Sequence, residues 1–147
     1  MPIKSFRGLI ADNVQDTITL HTNDGSVGYK IIKFQILPQN FNITDEYNVK
    51  IFKVQQSTNT TTFDFSDNTL LAGAYFENSL NVGAEGSFEG TVVFDNEIFN
   101  QDIYVSAKSQ SGGAVNYYIE LEQINLSLDQ NTVATLKDIR NIEQPSV

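Results

Sequence analysis

The chain has 147 residues, 18 acidic against 9 basic side chains, a net charge of −9, 40% hydrophobic residues and no cysteine. That length fits one domain with its own core, and the apolar share is too high for a disordered chain. Lack of cysteine excludes disulfides and thiolate-bound metal, and the negative charge disfavours nucleic acid, whose phosphates repel it.

The first ten residues, Met-Pro-Ile-Lys-Ser-Phe-Arg-Gly-Leu-Ile, lack the apolar run of a signal peptide. They place Lys4 and Arg7 beside Phe6, Leu9 and Ile10. Two forms fit: an arm that docks on a neighbour, or an edge strand whose charges deter further pairing. Residues 16–22 alternate, with Ile18 and Leu20 opposite Thr17, Thr19 and His21. Asn23-Asp24-Gly25-Ser26 follows, and Asp-Gly predicts a hairpin because glycine takes positive φ at no steric cost.

Residues 27–37 return as a strand that changes phase: Val27, Tyr29 and Ile31, then Ile32, Phe34 and Ile36, with Pro38 ending it. A polar loop leads to a strand over 47–55, again with two phases: Tyr47, Val49 and Ile51, then Phe52 and Val54. Residues 56–62 are polar and Thr-rich and predict an exposed loop. In 63–76, Asp67 or Asn68 suits the cap of a short helix through Ala74, whereas Gly73 and Tyr75-Phe76 favour irregular strand. A second long loop covers 77–87.

Strands are predicted over 88–95 and 98–107. Ser109-Gln110-Ser111-Gly112-Gly113 turns the chain into the strand 115–128, and a hairpin spanning Ile103 to Leu128 is expected. The last strand also slips: Tyr117, Ile119 and Leu121 alternate with Glu120 and Glu122, then Ile124, Leu126 and Leu128 take the other phase. Either a β-bulge near Glu122–Gln123 absorbs one residue, or the strand passes between two packed sheets. In the tail, 129–147, the spacing of Val133, Leu136 and Ile139 suits a short helix capped by Asn131 or Thr132. The tail fits an arm on a neighbouring subunit or a helix packed on its own body.

Three phase slips favour bent strands shared between layers. The expected fold is all-β: an antiparallel β-sandwich of jelly-roll type with long loops and at most one or two short helices. Residues 1–147 form one domain, with 1–10 and 129–147 as possible arms. If the ends are arms, Lys4, Phe6, Arg7, Leu136, Ile139 and Arg140 are the candidate partner-binding residues.

Catalytic chemistry finds little purchase, and no enzyme is expected. His21 is the only histidine and reads as a solvated surface residue. Zinc lacks ligands. Asp64, Asp67 and Asn68, or Asp95, Asn96, Glu97 and Asp102, offer oxygens for calcium, yet neither follows the EF-hand pattern, and acids at turns usually close Asx-turns. Glu120 and Glu122 have glycosidase-like spacing, as any strand face with alternating Glu does. Tyr47, Tyr75, Tyr104, Tyr117 and Tyr118 are candidates for a glycan platform, against a default role in packing. No catalytic residue, metal ligand or cofactor is assigned, and no stretch reaches the ~20 apolar residues of a membrane-spanning helix.

Four segments carry a resemblance: residues 1–10, Phe94-Asp-Asn-Glu-Ile-Phe-Asn-Gln-Asp-Ile-Tyr104, Asn116-Tyr-Tyr-Ile-Glu-Leu-Glu-Gln123 and Thr132-Val-Ala-Thr-Leu-Lys-Asp-Ile-Arg-Asn141. Their text resembles small virion proteins of marine tailed bacteriophages. The resemblance implies a structural part of the particle, and size and fold point to a capsid cement (decoration) protein. Such proteins sit as homotrimers on the outer capsid surface and bind the major capsid protein. The expected function is therefore non-enzymatic stabilisation of the capsid shell by a protein made in the host cytoplasm. The alternative is a receptor- or carbohydrate-binding module of a tail fibre or baseplate.

Overall fold

The computed structural model describes residues 2–40, 42–79 and 87–127. Eight strands follow in order: β1 (Ile3–Ile10), β2 (Gln15–Ile18), β3 (Val27–Pro38), β4 (Asp45–Phe52), β5 (Leu70–Ser79), β6 (Ser87–Phe94), β7 (Ile103–Ser109) and β8 (Val115–Asn125). They form two sheets, one ordered β1-β8-β3 and the other β2-β7-β4-β5-β6. Every pairing is antiparallel.

The sheets share one core, so the fold is sandwich-like. Ile10, Ile31, Phe34, Ile119 and Leu121 from the smaller sheet cluster with Val49, Ile51, Ala74, Ile103 and Val105 from the larger. Burying each larger side chain contributes roughly 1.5–3 kcal/mol relative to leaving it in water.

The three phase slips have three different causes. In β3, Ile31 pairs with Leu121 and Lys33 with Glu120, so Ile32 is the extra residue of a bulge. Core-facing positions are odd before it and even after it. In β4 the register runs unbroken against β7 but shifts against β5 between Ile51 and Phe52, where Leu71 is the extra residue, and both faces of the strand are buried. Tyr47, Val49 and Ile51 join the core, while Asn48, Lys50 and Phe52 lie on the opposite face, also buried. The segment from Lys53 to Thr69 covers that face.

In β8, pairing runs unbroken from Val115 to Glu122 against β1. The bulge expected near Glu122–Gln123 therefore lies on the partner strand, at Ile32. Ile124 stands opposite Gly28, and a Cβ at Gly28 would lie 3.0 Å from Ile98 and 3.1 Å from Leu126. Leu126 thus lies with Ile98 over Gly28 on the outer side of the sheet. No strand among those described is shared between the sheets.

Both expected hairpins need correction. β2 and β3 flank the Asp24-Gly25 turn, and β7 and β8 flank the turn at 109–113, yet in each pair the strands belong to different sheets. The turns do reverse the chain, with φ of +67° at Gly25 and +87° at Gly112. Turn residues dictate the reversal; core-facing patterns decide which sheet receives the next strand.

No helix occurs among the described residues. Asp67 begins no helix: its carboxylate accepts from the Thr69 amide at 2.8 Å and hydroxyl at 2.7 Å, closing a turn from which β5 starts. The predicted Val133–Ile139 helix, the arm at 129–147, and Leu136, Ile139 and Arg140 lie outside the described residues.

Candidate functional site

β1 is an edge strand and exposes one of its faces. Opposite residues across the outer side of the smaller sheet form rows: Ile3–Glu122–Lys30, Ser5–Glu120–Lys33, Arg7–Tyr118–Gln35 and Leu9–Asn116–Leu37. Lys30 pairs with Glu122 at 3.4 Å. Glu120 accepts from the Tyr118 hydroxyl at 2.8 Å, and Lys33 lies 5.7 Å from the centre of that ring. The bond to Glu120 and partial desolvation hold the Tyr118 phenol above its ordinary value. Glu120 and Glu122 therefore serve surface networks and form no cleft pair.

The last rows differ. Leu9 is 50% exposed and Leu37 65%, although both are large and apolar. With Arg7, Gln35, Tyr118 and Val92 of β6 they line an open groove of about 820 Å³. Single exposed leucines are ordinary; several around one groove mark a surface that another molecule covers. Arg7 is exposed on this groove, Lys4 is exposed at the other end of β1 with its ammonium 5.8 Å from the centre of the Tyr29 ring, and Phe6 turns inward and packs against the core. The three residues singled out on the N-terminal strand therefore divide, two facing solvent and one structural.

A second cavity, about 330 Å³, lies on the outer side of the larger sheet beside Lys50. Lys50 is only 3% exposed. Its ammonium donates to the Thr60 carbonyl at 3.0 Å, to the Thr60 hydroxyl at 2.9 Å and to the Thr62 carbonyl, with the Phe63 ring centre 5.2 Å away. Burial pulls its pKa below the ordinary lysine value. All three ammonium protons are engaged, so the group anchors the segment over β4; sequence reading missed it because a lysine between Val49 and Ile51 reads as a solvent-facing strand position.

His21 is 53% exposed but not merely solvated. Its Nδ1 lies 2.7 Å from Asp102 Oδ1, which also accepts the Leu20 and His21 amides at 2.8 and 3.0 Å. Burial pushes Asp102 up, and the bonds from His21 and Leu20 outweigh it, leaving the carboxyl below its ordinary value. No serine hydroxyl bonds to His21 among the described residues, so a nucleophilic triad is not assembled there.

Of the acids weighed as calcium ligands, three close turns, Glu97 pairs with Lys53 at 2.9 Å and Asp102 holds His21 and Leu20. Asp64 accepts from Ser66, Asp67 from Thr69, and Asp95 from the Glu97 amide. Among the described residues no group of three acids, histidines or cysteines converges as a metal site requires. Of the tyrosines, Tyr47 and Tyr117 are buried, and Tyr118 lies on the groove.

No protein-family model, curated protein or solved structure matches this chain. Its own geometry has to carry the functional reading. The groove beside Leu9, Leu37 and Tyr118 is the feature best suited to contact another molecule.

Proposed function

We propose that this chain is a virion structural protein, a capsid cement protein that binds and stabilises a shell of major capsid protein from outside. The observation that carries the reading is the groove on the smaller sheet, with three exposed apolar side chains, Leu9, Leu37 and Val92, and the cation Arg7. Such a surface suits contact with protein. The two-sheet body fits a rigid part that does no chemistry. The strand orders β1-β8-β3 and β2-β7-β4-β5 also support a jelly-roll reading, with β6 joined to β5 instead of standing beside β3. A homotrimer repeats each weak contact and so raises avidity on a lattice.

Cosedimentation with empty tailed-phage capsids lacking this protein tests the reading. Saturable binding that raises the shell's melting temperature supports it; failure to bind overturns it. A carbohydrate-binding role in a tail fibre or baseplate is the second reading. Tyr118 with Arg7, Gln35 and Asn116 in one groove favours it, because a ring flanked by polar side chains suits a sugar. Binding on a glycan array, lost in Tyr118→Ala, would select that reading.

A further inference from the structure

We infer that copies of this chain join head to tail, with the free edge of β1 on one copy pairing with the free edge of β6 on the next. Among the described residues each is an edge strand of eight residues with one strand neighbour in its sheet, β8 for β1 and β5 for β6. Unpaired strand edges present a row of open amides and carbonyls to any extended partner.

Both edges are solvent-exposed over part of their length, and the Lys4 and Arg7 charges that deter pairing of β1 with a like strand do not deter pairing with an acidic one. Residues Pro2–Ser5 are all exposed, with Ile3 at 58%. From Gly90 to Phe94 every residue is exposed, with Val92 at 39%, Val93 at 46% and Phe94 at 37%. Val92 and Val93 are adjacent and so point to opposite faces, which leaves β6 apolar on both sides. The other edges are less available. β2 has only four residues, and β3 is met at Tyr29 by Phe99 through amide–carbonyl bonds of 2.8 and 2.9 Å.

Charge selects the partner. β1 carries Lys4 and Arg7 and no acid; β6 carries Glu89 and no base and runs into Asp95. Two copies of β1 repel one another, as do two copies of β6, whereas β1 and β6 attract. A contact between different surfaces is heterologous, so it closes a ring when the rotation permits and otherwise runs on as a filament. The contact deepens the cement-protein reading by naming the join between subunits, but it needs no shell to form.

Light scattering on the full chain after size exclusion, at low and high salt, tests the contact. An assembly larger than a monomer at low salt is expected, together with a monomer for Lys4→Glu/Arg7→Glu whose melting temperature is unchanged. Adding Glu89→Lys and Asp95→Lys to that double variant should restore the assembly. A monomeric wild type at every concentration, or an assembly indifferent to the β1 reversal, would overturn the inference; so would failure of the compensating variant to reassemble while remaining folded. A wild type that is monomeric at every concentration yet coats capsids would refute only this contact. An assembly that ignores capsids would refute only the cement role.

Discussion

Asp45 accepts the amide of Gly113 at 2.9 Å, joining residues 68 apart in the chain. The same carboxylate takes the Ser111 amide at 2.7 Å and the Glu46 amide at 2.8 Å, and Asp45 is 1% exposed. It thus ties the start of β4 in the larger sheet to the turn that carries the chain from β7 to β8. A Cβ at Gly113 would lie 2.6 Å from the carboxylate and 2.9 Å from the Tyr47 hydroxyl.

Asp45→Ala should cost about 2 kcal/mol in urea unfolding, because three part-buried or exposed amides lose the charged acceptor they share. Gly113→Ala should cost about 2 kcal/mol by overpacking. Gly112→Ala is the comparison: it meets no atom and strains only a φ of +87°, for about 1 kcal/mol.

Tyr117 predicts an alkaline limb in stability. Burial, then the charge and hydrogen bond of Asp16, push its pKa from 10.0 up to about 12. The folded state therefore holds the phenol proton where the unfolded chain has released it. Stability from this group is complete below pH 10 and is lost as pH rises towards 12. Two units correspond to roughly 2–3 kcal/mol. Urea midpoints from pH 8 to 12 should fall less steeply for Tyr117→Phe than for wild type.

Lys50 predicts that the segment over β4 is pinned locally. Lys50→Ala removes three donors from Thr60 and Thr62 and should cost ~2–3 kcal/mol. Protease cleavage within 56–62 should accelerate more than global unfolding does. Gly73→Val should act alike, since a Cβ at Gly73 would lie 2.8 Å from the Phe63 ring.

Much of the sheet content was legible because alternation is a local property. The phase change between Ile31 and Ile32 coincides with the bulge, although the pattern suggests a strand shared between sheets. At Phe52 the pattern coincides with a register shift against β5, but periodicity does not show that the extra residue is Leu71 on the partner strand or that both faces of β4 are buried. The turn at 109–113 was readable, but its role between sheets was not, because it depends on Asp45, 66 residues from Ser111. At the candidate site, Arg7 was visible as a cation of an acidic chain. Leu37 is out of phase with Phe34 and Ile36, but nothing in the sequence joins it to Val92; only the fold brings the two to one groove.

Binding of Leu37→Asp to empty capsids, measured beside wild type, is the most direct test of the groove as the docking surface. Leu37 is 65% exposed and lies on neither strand of the proposed subunit join, so the change should spare both fold and assembly. At least a tenfold loss of affinity with an unchanged melting temperature is predicted. Undiminished binding by a folded Leu37→Asp protein would contradict the account.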